Sequence, residues 1–319
     1  MSGPLPLVIF VIGPTACGKS DLAVEACEEL TKAQSEPAEI INCDSVQFFA
    51  DLEIGAAKPT ASQMARAVHH LVSHRPVGSE YTAGEFRRDA LSVIESRHRA
   101  GVKIFFAVGG SGFYVQALEK GMYEVPSVSP EVRAQLELEF ANLASPPHLY
   151  DELKTRDPEA CARIHPSDRY RIFRALEILR SSPERQTLGQ IRQKFEGERK
   201  PAPFRVQKIG LSRPREVLRE KIAFRTRAML DHGLIEEVVK LRGRGYAEWS
   251  PLKSVGYREV GELLDGKLKD AELESAIVTS TMQLAKRQMT WFKRDSEIRW
   301  FDPDTDWLAA RNAAVTSSS

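Results

Sequence analysis

Cysteine is scarce in this chain. The four present, Cys17, Cys27, Cys43 and Cys161, show no CxxC spacing, and they read as reduced thiols of a cytoplasmic protein. Cys17 sits inside a tight loop, where a small residue filling the turn is the simpler reading than a reactive thiol. Long apolar runs are missing too: none approaches the roughly 18 to 20 residues that a membrane span needs. The N-terminal MSGPLPLVIF has no basic leader before its apolar run, so it reads as a first strand and not as a signal peptide. Internal repeats and low-complexity blocks are absent. His70 and His74 in HHLVSH are four residues apart, but no acid or cysteine beside them completes a metal site. Net charge is nearly absent as well, at +1. That balance hides an asymmetry, because residues 163–227 hold 18 Lys and Arg against 7 Asp and Glu. Such a local excess fits either a polyanion partner or a solvated helical surface.

What is present is ordinary globular composition, 42% apolar and 28% charged over 319 residues. That length suffices for one large domain or two modest ones around a buried core. The first part alternates strand and helix. Residues 5–12 form a continuous β-branched and apolar run, and 18–33 an amphipathic helix; EIINC (39–43) is a second strand. VKIFFAV (102–108) is a third, after the helix of YTAGEFRRDALSVIESRHRA. Strand, crossover helix and strand imply an α/β fold: a parallel sheet core flanked by helices. The first part of that core runs over 1–112. From 113 to 203 the strand signal disappears, which predicts a helical insertion. FRVQKIGLS (204–212) returns to the sheet, a helical stretch follows at 214–243, and the second part of the core ends at 302. Residues 303–319 read as a tail, with AAVTSSS frayed.

Gly13-Pro14-Thr15-Ala16-Cys17-Gly18-Lys19-Ser20 fits the phosphate-loop pattern G-x-x-x-x-G-K-[ST], and it stands between a buried strand and a helix, as that loop requires. Its backbone N–H groups and the helix start present positive charge to phosphates. Lys19 reaches the terminal phosphate and the Ser20 hydroxyl is the candidate Mg²⁺ ligand. Ligands bind at the C-terminal strand edge of such sheets, where two further loops emerge: Asp44-Ser45-Val46-Gln47 and Gly109-Gly110-Ser111-Gly112. Asp44 is there a magnesium ligand, a general base, or a helix cap. The glycine run either lets a ligand approach the backbone, with Ser111 as a hydroxyl donor, or makes a plain turn. In the helix from Pro214, Leu218, Ile222 and Met229 share a face, and Arg225 falls 20° from Leu218. A cation in that stripe needs an anion, either a structural carboxylate or a ligand phosphate, and the phosphate is preferred. Lys221 flanks the same face. In DRYRIFRALEILR, Ile172, Leu176 and Leu179 face inward, while Arg171 and Arg174 face away towards solvent or a nucleic-acid backbone.

Taken together these stretches resemble the tRNA dimethylallyltransferases, also called isopentenyl-diphosphate:tRNA transferases, of bacterial type. The resemblance covers about residues 8 to 302. It rests on GPTACGKSDLA, DSVQ followed by IGAAKPT, HHLV, YTAGEF, VGGSGFYVQAL, DPEACARIHPSDRYRIFRALEILR, SVGYRE and QLAKRQMTWFKR in that order. It implies that the dimethylallyl group of dimethylallyl diphosphate passes to the exocyclic amine of the adenosine 3′ to the anticodon, and that diphosphate is expelled. Asp44 would be the base for that amine. Thr15 to Ser20, with Arg225 and a Mg²⁺ on Ser20, would take the departing diphosphate. Asp44, Ser45, Val46, Gln47, Ser111, Arg133, Tyr170, Arg171, Ile172, Phe173, Arg174, Lys253, Gly256, Tyr257, Arg258, Lys286 and Arg287 map onto tRNA-contacting segments. The target base would be flipped out of the stack. A monomer without membrane attachment is implied.

The chain departs from the family pattern in places. Phe49-Ala50 stands where a Tyr-Arg pair is usual, and Cys17 where serine is frequent. GGSG replaces GGTG and keeps the hydroxyl, and SSPERQT replaces a short Thr-Gly turn. A C-terminal Cys/His cluster is absent. Competing readings are a phosphate-loop kinase, a free-nucleotide (AMP) isopentenyltransferase, and an RNA-binding NTPase module. The arginine-rich insertion favours the tRNA enzyme over the kinase, and only the tRNA-contacting segments argue against the free-nucleotide enzyme. The NTPase module would want a later hydrophobic strand ending in a magnesium-binding acid, which the sequence does not show.

Overall fold

The structure, a computed structural model, describes residues 4–33, 36–122, 128–141, 147–182, 186–198 and 201–316. It divides into two units, residues 1–120 with 202–319, and residues 121–201. In chain order the first unit contributes β1 (Leu7–Ile12), α1 (Lys19–Ala33), β2 (Ala38–Asn42), α2 (Ala61–Arg66), β3 (His69–His70), α3 (Ala83–Arg99), β4 (Ile104–Gly109) and α4 (Gly112–Lys120). The second unit holds α5 (Pro130–Ala141), α6 (Pro147–Arg156), α7 (Pro158–Cys161), α8 (Arg169–Ser181) and α9 (Leu188–Glu198). The chain then returns through β5 (Arg205–Leu211), α10 (Arg215–Asp231), α11 (Leu234–Gly243), a 3₁₀ turn at Ser250–Lys253, α12 (Tyr257–Leu264), α13 (Asp270–Phe292), β6 (Arg299–Phe301) and α14 (Trp307–Val315).

The sheet is six-stranded, in the order β3-β2-β4-β1-β5-β6, and every pairing is parallel. β1 lies inside it, paired to β4 on one side and β5 on the other, and all six of its residues are buried. A strand covered on both faces favours apolar residues unless a buried partner compensates, and LVIFVI is accordingly an unbroken apolar run. Its side chains alternate between two layers. Val8, Phe10 and Ile12 join Phe105 and Ala107 on one face; Leu7, Ile9 and Val11 join Ile104, Phe106 and Val108 on the other. Capping boxes at Thr60/Gln63 and Thr82/Glu85 start α2 and α3, which accounts for the polar residues of KPTASQ and YTAGEF. Among the described residues no helix is long and apolar enough to cross a membrane.

The second unit is all helix in its described residues, around Leu136, Leu149, Leu153 and Leu176. Arg180 ties α5 and α6 together through Glu139 at 2.9 Å and Glu152 at 2.5 Å. It begins at Gly121 and not at 113, because Val115 and Leu118 of α4 pack into the core of the first unit. Residues 183–185, in the unusual SSPERQT turn, lie outside the described residues.

Two expectations are corrected. The stretch 214–243 is two helices, broken at Gly233, whose φ of +95° suits glycine. Residues 303–316 are no tail. α14 buries Ala310, Ala313, Ala314 and Val315 in the core on the α1 side, and Trp307 Nε1 donates to Glu25 Oε2 at 2.8 Å. Alanines three and four apart let two helices approach closely, so a stretch of small residues builds an interface without any large apolar side chain.

Candidate active site

The phosphate loop leaves β1 at Gly13, whose φ is +137°. A Cβ there would overlap the Leu211 carbonyl at the end of β5, so both the backbone turn and the neighbouring strand demand glycine. Ala16 (φ +63°) and Gly18 (φ +86°) curl the chain so that α1 starts at Lys19. Lys19 Nζ reaches back and donates to Pro14 O at 2.7 Å. Burial pulls its pKa below the ordinary lysine value, while Cys17 and Asp44 act in the opposite sense. Cys17 is fully buried and burial pushes its thiol up, which makes it a filler of the loop and not a nucleophile.

Beside this loop lies a cavity of about 360 Å³, whose wall includes Thr15, Lys19, Ser20, Asp44, Gln47 and Arg225. Asp44 arrives from the end of β2. Its backbone N–H donates to Asn42 Oδ1 at 2.9 Å, and its Oδ1 accepts from Val46 N at 3.0 Å. These two bonds leave the carboxylate fixed at the cavity wall. Arg225 Nη1 donates to Thr15 Oγ1 at 3.1 Å. Burial lowers the Arg225 pKa, and the Asp44 charge opposes that shift. The inward cation of α10 therefore meets the loop itself, with one carboxylate within electrostatic reach. Lys221 and Arg213 line the same wall.

Three of these groups escape sequence reasoning. Gln288 on α13 accepts from Thr15 N at 2.9 Å, tying the far C-terminal helix to the loop. It lies in QLAKRQMTWFKR, a stretch read only for its cations, and its signal would have been an amide among the apolar positions of a long helix. Asn42, which aims Asp44, is a polar residue closing an apolar strand. Arg213 follows β5, where helical periodicity offers no test.

The glycine run after β4 resolves into packing. A Cβ at Gly109 would meet the Cys43 backbone, one at Gly110 the Gln288 amide, and one at Gly112 the Trp291 ring. The neighbours that approach are side chains and backbone of this chain. Ser111 Oγ accepts from Ser45 N and donates to Ser45 Oγ, both at 3.3 Å. Gln47 Nε2 donates to Ala56 O and Ala57 O at 3.2 and 3.0 Å, which explains why DSVQ and IGAAKPT travel together. Val46 packs against the core.

Of the remaining residues assigned to tRNA, several are placed otherwise. Tyr257 is 1% exposed, and its hydroxyl donates to Glu237 Oε1 at 2.7 Å. The same carboxylate accepts from the backbone N–H groups of Glu53, Ile54 and Gly55, so SVGYRE anchors IGAAK and does not face a ligand. Gly256 N donates to Glu259 Oε2, Arg258 meets Glu259 and Ser280, and Lys253 meets Glu248. In the second unit Ile172 is buried in the core and Phe173 packs edge-on against Phe140. Neither Tyr257 nor Ile172 can touch a nucleic acid from those positions. Tyr170 is exposed, Arg171 pairs with Asp168, Arg174 with the buried Glu177, and Arg133 with Glu137. Lys286 and Arg287 are exposed on α13.

The basic excess over 163–227 is shared out between the two units, and much of it is paired with acids within each. Buried Lys208 is held by Glu119, Asp295 and Glu297 at 2.6 to 2.8 Å, and Arg227 by Glu274. Those three carboxylates are the one group of metal-type ligands among the described residues, and the lysine ammonium occupies their midst. His70 does have an acidic partner, Glu39 at 2.7 Å, contributed by the adjacent strand and therefore invisible in HHLVSH. Phe49 takes the place of the usual tyrosine by burying its ring edge-on against Trp249, with centroids 4.9 Å apart.

Known proteins resemble this chain in sequence and in fold. A family model described as IPP transferase matches residues 47–295. A tRNA dimethylallyltransferase of Bdellovibrio bacteriovorus is 46% identical over 304 residues, spanning 95% of this chain and 96% of the relative. Among solved structures, the full-length tRNA isopentenylpyrophosphate transferase of Bacillus halodurans superposes with a TM-score of 0.68 at 29% identity, covering 96% of this chain and 94% of that one. A eukaryotic dimethylallyltransferase solved acting on tRNA superposes with a TM-score of 0.76 at 26% identity, covering 96% and 78%.

Proposed function

The chain belongs to the IPP transferase family, and from that membership and the cavity we propose that it transfers a dimethylallyl group from dimethylallyl diphosphate to tRNA. The acceptor is the N6 amine of the adenosine 3′ to the anticodon, and diphosphate is released. The observation that carries this reading is a carboxylate and an arginine on one cavity wall with the phosphate loop. Asp44 is fixed by Val46 N–H, and Arg225 lies on Thr15.

In this reading the loop N–H groups, Lys19 and Arg225 hold the diphosphate. The N6 nitrogen attacks the allylic carbon, a C–N bond forms, and the C–O bond to diphosphate breaks with its electron pair leaving on oxygen. The N6 proton passes to Asp44. Negative charge grows on the leaving oxygen while positive charge develops on N6 until its proton leaves, so cations at the loop and a carboxylate on the same cavity wall serve opposite ends of the same displacement. Ser20 on the cavity wall offers the hydroxyl that, together with phosphate oxygens, suits Mg²⁺. When bound, the ion would share the diphosphate charge. Exposed Tyr170, Arg171, Lys286 and Arg287 are proposed contacts for the tRNA backbone.

The test is to incubate the protein with radiolabelled dimethylallyl diphosphate, Mg²⁺, and either tRNA or AMP. Label in tRNA mapped beside the anticodon is expected. Label in AMP alone would replace the acceptor, and transfer to neither would overturn the reading.

A further inference from the structure

We propose that Arg213 is a second arginine for the diphosphate, gripping the phosphate at the Gly18 end of the loop while Arg225 serves the Thr15 end. This rests on the reading of the cavity as an allylic diphosphate site. Arg213 follows β5, the strand whose last carbonyl stands against Gly13. Its side chain is 8% exposed and forms part of the cavity wall. Nη2 lies 3.8 Å from where a Cβ of Gly18 would be. Arg225, on the same wall, donates to Thr15. Two guanidiniums thus stand at the two ends of one phosphate loop.

Arg213 has hydrogen-bonding capacity that the described residues leave unused. Its Nη1 makes a close ion pair with Asp304, while Nε has no hydrogen-bond partner among the described residues. A guanidinium carries five donors in a rigid fork, and burying them unsatisfied is costly. A phosphate at the Gly18 end would accept from that fork in the geometry for which arginine is suited. Asp304 then acts as a stand-in. It compensates the charge of Arg213 while the loop is empty and yields when diphosphate arrives. A monophosphate seated on Thr15 and Arg225 would gain nothing from Arg213, so this residue distinguishes a diphosphate from a monophosphate.

The test measures calorimetric affinities of the full chain for inorganic diphosphate and for orthophosphate at saturating Mg²⁺, with thermal melting as the check on folding. Wild type, Arg213→Ala and Asp304→Asn are compared. Arg213→Ala is expected to weaken diphosphate about tenfold to a hundredfold, the range for losing charge-assisted hydrogen bonds, and orthophosphate less than about threefold. Asp304→Asn removes the competitor and is expected to tighten diphosphate. Unchanged diphosphate affinity in Arg213→Ala, or equal weakening of both anions, would overturn the proposal. So would weakening of diphosphate in Asp304→Asn, since the pair would then be a structural brace. Failure of wild type to bind diphosphate would instead overturn the functional reading itself, whereas wild-type binding and transfer with an indifferent Arg213→Ala would sink only the role of Arg213.

Discussion

Asp44→Asn isolates proton transfer from everything else the residue does. The amide keeps the size of the carboxylate and an oxygen that can accept from Val46 N, and the backbone bond to Asn42 Oδ1 does not involve the side chain. The loop should therefore hold its position. What is lost is the charge and the ability to take a proton. An adenine exocyclic amine is a poor nucleophile because its lone pair is delocalised into the ring, and it becomes competent as its proton leaves. General-base assistance of that kind contributes about 10² to 10⁴ in rate, and the loss is expected within that range. Lys19 and Arg225 both lie within the electrostatic reach of Asp44. Removing the negative charge leaves two cations uncompensated, so diphosphate affinity should stay level or rise. The assay is the single-turnover rate of transfer to tRNA with both substrates saturating, alongside calorimetry of diphosphate binding. A rate within tenfold of wild type would refute the base assignment. A deficit that disappears at high Mg²⁺, together with weakened diphosphate binding, would make Asp44 a metal ligand instead.

Gln288→Ala leaves Thr15 N–H without its acceptor; a lost partner of that kind costs about 1 to 3 kcal/mol, and calorimetry should show diphosphate affinity reduced while the melting profile stays cooperative. Lys286→Ala with Arg287→Ala removes two exposed cations from α13; filter binding should show weaker tRNA binding and a salt slope lower by about two, with diphosphate affinity intact, and an unchanged slope would exclude that helix from the tRNA surface. Burial of Glu39 raises its pKa, but hydrogen bonds from Arg97 and His70 outweigh it and leave the carboxyl below its ordinary value of 4.5. The folded value being the lower one, this stability is present above pH 4.5 and fades as pH falls through the folded pKa, so thermal melting of Glu39→Gln should lose less on acidification than wild type.

Much of the fold could be read from residue pattern because the sheet is parallel and covered on both faces. Strands such as LVIFVI and IFFAVG must then be continuously apolar, and a helix must separate each from the next. The C-terminal segment was misread because its buried face is alanine, whose small contribution to apolar periodicity conceals a close helix contact. The basic excess is read less directly for a different reason. Charge counted along the chain ignores partners from elsewhere, and Lys208 with its three carboxylates shows how a lysine within that count can be buried and satisfied on a strand.

The site itself was legible in proportion to how far each residue breaks the local rule of its element. Lys19 and Ser20 belong to a loop whose glycines cannot be replaced, and Arg225 is a cation in an apolar stripe, so both announce themselves. Tyr257 looks equally suited to a ligand, yet its hydroxyl goes to Glu237, which in turn holds the backbone of residues 53–55. Gln288 and Asn42 break that rule only weakly and Arg213 not at all, because a glutamine on a helix or an arginine after a strand is unremarkable until its partner is known. Those partners are 273 residues away for Gln288 and 2 for Asn42, so sequence distance is not the obstacle. The obstacle is that Gln288 and Asn42 act by completing or aiming another group, a role set by geometry and not by residue type, while Arg213 is marked only by its place beside Gly18. Sequence motifs therefore mark where the charges of the reaction are held, while the residues that fix those charges in place become visible only once the loop, β2, β5 and α13 are brought to one sheet edge.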